Sequence, residues 1–266
     1  MNPTRTFLQG VATLGLFLAL WYGFSQLDYV SFFHVKNIRN STEQQLGDLI
    51  WTQVETTEEI IYDDSLNETL GRLLDPICKE AGIPRDSLKI HLIRNDEVNA
   101  FALPDRHLAV YSGLITDCPN QEALQGVLAH EVAHIQKNHV MQKLSKEIGL
   151  SALLSIVSGG RASQVHGLIR LLSSSAYDRS LEEEADYTGV SYLMEARIDP
   201  KPLADFFFQL ASKGDLPEAM NWISTHPDSE ERARVILKRV KGRATGKTQT
   251  LRAAEWSAFK ERIEGQ

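Results

Sequence analysis

The chain has 266 residues, 42% of them hydrophobic and 24% charged, with 28 basic against 35 acidic side chains for a net charge of −7. Such proportions belong to a folded globular chain, long enough for one sizeable domain with an appendage or for two small ones. The acidic balance excludes a general nucleic-acid binder, whose electrostatic footprint is basic.

The first predicted element is the N-terminal run. No residue from Thr6 to Leu27 is charged, and Phe7–Phe24 is almost wholly apolar. At ~1.5 Å per residue the run reaches about 33 Å as a helix, enough for a ~30 Å hydrocarbon core. Arg5 before it and Asp28 after it orient the N-terminus toward the cytoplasm. An uncleaved membrane anchor over 1–27 is the expectation, with a cleaved signal peptide as its rival, since Gly23-Phe24-Ser25 offers a small-x-small site. Either way the rest of the chain lies outside the cytoplasm. Residues 28–42 read as a linker.

Apolar spacing then predicts a helix over Glu43–Glu55 and another over Ser65–Ala81, the second stopped by Gly82 and Pro84. The period changes at "SLKIHLIRN", which reads as a strand. "NAFALPDRHLAVYSGLI" reads as a hairpin, Asn99–Leu103 and His107–Ser112 about a turn at Pro104-Asp105-Arg106. From Gln121 the pattern is helical, broken at Gly159-Gly160, Asp199-Pro200 and His226-Pro227. "IGLSALLSIVSGG", 148–160, is uncharged but too short to span a bilayer, so it covers a core or lines a groove. The end of the chain, 242–266, reads as a polar, mobile tail with a short helix near Ala253–Ile263. Cys78 and Cys118 form no Cys-x-x-Cys pair, which leaves one disulfide or two buried thiols.

The chemistry concentrates in "VLAHEVAHIQKNH", 127–139. Residues four apart share a helix face, so His130 and His134 can present two imidazole nitrogens to one metal. Glu131 is rotated about 100° from His130, beside the metal rather than on it, where it can act as general base. A hydrolytic zinc site needs a third protein ligand and an open fourth position. Downstream, "SLEEEADYTGV" puts Glu182 and Asp186 on one helix face, as a ligand and the partner that orients a histidine; a solvated acidic face over Glu182–Glu184 reads equally well from spacing alone. For His139, surface and metal-supporting positions are both open.

His130-Glu131-x-x-His134 followed by Glu182-x-x-x-Asp186 resembles the gluzincin zinc metallopeptidases of the HtpX and CAAX-prenyl-protease family. The nearest type is the singly anchored periplasmic one related to the beta-barrel assembly-enhancing protease. The likeness covers about residues 85–240, through "EVNAFALPDRHLAVYSGLI", "AYDRSLEEEAD" and "STHPDSEER". It implies an α+β, mostly helical metallopeptidase domain over 43–241, with a small sheet or hairpin beside the zinc-binding helix. It implies one Zn2+ per chain, Glu182 as third ligand, Glu131 as catalytic base, and Asp186 and Arg232 in support. It also implies a substrate-binding hairpin edge at Asn99, Ala100, Phe101, Val110 and Tyr111, to which an extended peptide adds as a strand. His226 matches a family histidine near the metal, as oxyanion stabiliser or as a plug in the open position. A helix-entry role beside the capping candidates Asp228 and Ser229 is the alternative. The partners expected are protein or peptide substrates and a membrane through the N-terminal segment, with no nucleic acid; oligomeric state is left open. The location implied is the bacterial envelope, inner-membrane anchored with the domain in the periplasm. The function implied is endopeptidase action on extended or misfolded segments in envelope quality control. The rival is a latent protease or tethered assembly factor with a plugged zinc site.

Overall fold

The computed structural model describes residues 35–213, 222, 224–243 and 248–265, with side chains from 41 onward. The apolar run 6–27 lies outside the described residues; among those described, no helix is long and apolar enough to cross a membrane. The chain divides into units Met1–Thr42 and Glu43–Gln266, and the fold that follows is that of the second.

Helix α1 (Val35–Thr57) leads through β1 (Glu59–Ile60) to α2 (Asp64–Ala81). Asp63 caps α2 by accepting from the Ser65 and Leu66 N–H groups, and Gly82 ends it in the left-handed region at φ 66°. Strands β2 (Lys89–Arg94), β3 (Ala100–Leu103) and β4 (His107–Tyr111) follow. They form one sheet in the order β1-β2-β4-β3, with β2 and β4 parallel and the other pairs antiparallel. The hairpin expected from the sequence is present, its turn carried by Asp105 and Arg106 at positive φ.

Strand β4 is buried on both faces. Leu108 and Val110 enter one apolar cluster with α2 and the helices α4 (Gln121–Gln136), α8 (Arg179–Glu195) and α9 (Lys201–Ser212). Ala109 and Tyr111 enter another with α1, α5 (His139–Glu147), α6 (Leu150–Val157) and α7 (Ala162–Ser174). This is the period-2 alternation of a strand sandwiched between helical layers. A short helix α3 (Ser112–Asp117) joins β4 to α4. The architecture is the α+β, mostly helical one expected, with its small sheet against α4.

Several local outcomes differ from the sequence-based expectation, beginning with α1, which starts at Val35 inside the stretch expected as a linker. The helical stretch after Gln121 breaks at Asn138, which adopts φ 59°, a conformation that asparagine tolerates better than most residues. Of the polar tail, the described residues 248–265 are packed on the domain, and the short helix expected there is present. Leu251 is bound through its N–H and carbonyl to the Gln121 amide, and α11 (Ala253–Glu264) buries Trp256, Phe259 and Ile263 in the first cluster. Three apolar residues at helical spacing, too few to stand out in a polar segment, give that helix its core face.

Candidate metal centre and active site

Helix α4 supplies His130, Glu131 and His134, all 0–1% exposed. Helix α8 crosses it closely because Gly189 has no side chain: a Cβ there would stand 3.0 Å from the Ala129 carbonyl and the His130 nitrogen. That approach carries Glu182, one turn into α8, onto the histidines. The Nε2 atoms of His130 and His134 are 3.0 Å apart. Glu182 places Oε2 3.4 Å from His130 Nε2 and Oε1 3.3 Å from His134 Nε2. His226, just before α10 (Ser229–Val240), adds Nδ1 at 3.2 Å from His130 Nε2 and at 3.0–3.1 Å from both Glu182 oxygens. Bond lengths of about 2.0–2.2 Å set tetrahedral zinc ligand edges of about 3.3–3.6 Å, and the four donors lie at or slightly inside that spacing.

The surroundings orient these donors. Asp186 Oδ1 is 2.9 Å from His130 Nδ1, which holds the proton on Nδ1 and turns the Nε2 lone pair into the cluster. Arg232 binds both Asp186 oxygens at 2.7 Å, and its Nη1 lies 3.0 Å from Glu182. His139 is fully buried with Nδ1 3.0 Å from His134 Nδ1, an arrangement made by the Asn138 break. Both positions open for His139 are thereby reduced to one, against the His134 ring.

Electrostatically the cluster favours a cation. His130 is raised to about 9: burial and Arg232 oppose its charge, but Glu182 and Asp186 outweigh them. Burial holds His134 well below the ordinary imidazole range and takes His226 down to about 4. Glu182 overcomes burial through His226, Arg232 and His130, and stays far below the usual carboxylate range. Asp186 does so through Arg232. The carboxylate field that raises His130 also attracts a divalent ion, which competes with a proton for the same nitrogen. The residues therefore fit zinc: four buried nitrogen and oxygen donors converge, and their lone pairs face inward.

Glu131 stands apart from these donors in role. Burial, with Glu182 adding, pushes its carboxyl up to about 7. Its Oε2 accepts from the Ala102 N–H at 3.0 Å, while Oε1 has no hydrogen-bond partner among the described residues and lies 3.5 Å from His226 Nε2. A carboxylate fixed by one oxygen and free at the other, with an affinity for protons near neutrality, is suited to accepting and returning a proton.

The five hairpin residues expected to meet substrate, Asn99, Ala100, Phe101, Val110 and Tyr111, are all buried. Asn99 donates to the Ser173 carbonyl of α7 at 3.3 Å, and β3 packs between α4 and α7 on its outer side. Ala100 and Phe101 lie on or beside that outer edge. Val110 and Tyr111 are on β4, paired on both sides, and offer no main-chain edge. Asp228 stands at the α10 N-cap but in the left-handed region and makes no capping bond, so the helix-entry role for His226 gains no support from it.

Sequence reasoning missed three participants. Tyr177 stacks on His134 with centroids 4.2 Å apart, Trp222 stacks on His226 at 4.3 Å, and Lys143 lies 4.1 Å over the Tyr177 ring while donating to the Ser175 carbonyl. Only for Tyr177, inside the quoted "AYDRSLEEEAD", was there a neighbouring signal.

A His-Glu-x-x-His helix, a glutamate from a second helix and a carboxylate-braced histidine together define the metallopeptidase class. Residues 64–240 match the model of peptidase family M48, and the chain belongs to that family. It is 30% identical over 171 residues to the mitochondrial metalloendopeptidase OMA1 of Schizosaccharomyces pombe, covering 63% of this chain and 51% of that one. It is 27% identical over 260 residues to a putative beta-barrel assembly-enhancing protease of Vibrio cholerae, covering 87% and 52%. The Escherichia coli beta-barrel assembly-enhancing protease is 25% identical over 217 residues, 71% and 42%. The chain thus spans about half the length of these relatives.

Proposed function

We propose that the chain is a zinc-dependent endopeptidase that cleaves extended or misfolded protein segments in the bacterial envelope. In this reading it is tethered to the inner membrane by residues 6–27, with 43–241 as the catalytic domain in the periplasm. The observation that carries the enzymatic part is the set of inward-facing donors 3.0–3.4 Å apart beside the half-free Glu131 carboxyl. His130, His134 and Glu182 would hold the zinc, which when bound supplies Lewis acidity for activating water and polarising the scissile carbonyl.

The chain's own residues do the rest. Glu131 Oε1 takes the proton of the attacking water and later delivers it to the leaving amine nitrogen. The Ala102 N–H keeps the carboxyl aimed while it does so. Asp186 and Arg232 hold His130 in the lone-pair-in orientation. The outer edge of β3, once α7 yields it, pairs with an extended substrate through main-chain hydrogen bonds.

His226 favours a latent form of the same enzyme. With Nδ1 against His130 and Glu182, and with Trp222 stacked behind it, the imidazole fills the position a substrate needs. Catalysis requires its withdrawal. The test is cleavage of unfolded casein by wild type, Glu131→Gln and His226→Ala. Cleavage absent in Glu131→Gln and raised several-fold in His226→Ala supports a plugged protease. Equal cleavage by wild type and Glu131→Gln overturns the assignment of the base.

A further inference from the structure

Between Glu147 and Asp178 the chain runs for thirty residues without an aspartate or glutamate. At the chain-wide frequency of 35 in 266, that length would hold about four. Its charged residues are Arg161 and Arg170, both exposed and without an ion pair among the described residues. Helix α6 lies inside this stretch. Its Leu153 and Ile156 complete the second apolar cluster, but Leu150 and Leu154, one turn apart, are 53% and 37% exposed. Val157, half-buried against the same cluster, borders this strip, and serines 151, 155 and 158 fill the rest of the outer face. Single exposed leucines are ordinary on a soluble surface. An apolar strip followed by two exposed arginines, in a carboxylate-free excursion of an acidic chain, is the pattern of an interfacial membrane contact.

We propose that the α6–α7 excursion rests on an anionic bilayer surface. Leu150, Leu154 and Val157 enter the boundary between headgroups and acyl chains, and Arg161 and Arg170 meet lipid phosphates. The proposal rests on the tether reading: an anchor at 6–27 holds the domain beside the bilayer, so a weak contact suffices. The excursion leaves the site at His139 and returns at Tyr177, and both rings touch His134. Membrane contact therefore acts on a segment whose two ends touch the His134 ring.

The test uses the full chain in vesicles of mixed phosphatidylglycerol and phosphatidylcholine. A bimane is attached at Leu154→Cys, or at Ser155→Cys as a second position, and quenched by lipids spin-labelled near the headgroup. Val235→Cys, 57% exposed on α10, is the control. Quenching of at least two-fold at 154 and 155, none at 235, and a loss on replacing the two arginines by glutamine are expected. A chain that floats with the vesicles while 154 and 155 stay as unquenched as 235 overturns the proposal and leaves the tether standing. A chain that does not float at all removes both. Equal quenching in purely zwitterionic vesicles overturns the role of the arginines.

Discussion

His91 and His107 meet at 2.9 Å across β2 and β4, much as His130 and His134 meet at 3.0 Å along α4. Each pair has carboxylates within reach: Asp48 and Asp105 in the first case, Glu182 and Asp186 in the second. They differ in what stands at the centre. The Lys89 ammonium donates to His107 Nε2 at 3.0 Å and to Asp105 at 2.6 Å, and lies 3.5 Å from Asp48. Trp51 stacks on His91 with centroids 3.4 Å apart. In that cluster the cation is part of the protein. In the α4–α8 cluster the guanidinium that contacts the carboxylates, Arg232, stands behind Asp186 and Glu182 and stabilises the ligands from outside. A histidine pair with carboxylates thus becomes a metal site only where the charge at its centre is left for an ion to supply.

The largest effects should fall on the α4–α8 cluster. His134→Ala is expected to lose zinc and activity together. Glu131→Gln should keep the zinc and lower kcat by about 10²–10⁴-fold, the usual scale of general acid–base catalysis. Metal analysis beside steady-state casein cleavage checks both, and Glu131→Gln without zinc would break the distinction between ligand and base. Arg232→Met leaves Asp186 and Glu182 buried without their cation. It should cost about 3–5 kcal/mol, read from urea unfolding.

The counterpart change in the sheet cluster is smaller. Lys89 is 39% exposed, so Lys89→Met should alter stability by no more than about 1 kcal/mol. With the ammonium gone from between Asp48, Asp105 and His107, the variant is expected to gain a second, weaker zinc in titration calorimetry. Failure to gain it would show that donor geometry, rather than the resident lysine, keeps metal out.

The sheet cluster also affects acid stability. Burial takes His91 down to about 3 and His107 to about 4, with Lys89 adding to both. Unfolded histidines titrate near 6.5, so as pH falls the unfolded chain binds protons first. The stability contributed is complete above about pH 6.5 and is lost as pH falls toward 4. His91→Gln, which keeps an acceptor for His107, should lose less between pH 6.5 and 4, measured as urea midpoints across that range.

The zinc helix was legible because its signal is local: two histidines at i and i+4 flanked by apolar residues need only helix geometry to converge. Glu182 was not legible from spacing alone, since Glu183 and Glu184 stand beside it; the family pattern selected it, and the close crossing at Gly189 shows how it reaches the histidines. The hairpin followed from its alternation and turn. What covers its edge did not, because the Asn99–Ser173 contact joins residues 74 apart. His139 was ambiguous for a similar reason. A continuous helix would carry it past His134, and only the left-handed Asn138 folds it back. Trp222 and Tyr177 matter through stacking on the histidines, which leaves no periodic trace.

The most direct test of the account is the zinc content and coordination of the purified chain, read by metal analysis and zinc X-ray absorption on wild type and His134→Ala. One zinc per wild-type chain, in a shell of nitrogen and oxygen donors without sulfur, and none in His134→Ala, is the predicted result. A wild-type chain that binds no zinc after reconstitution, or that keeps it when His134 is removed, would contradict the account.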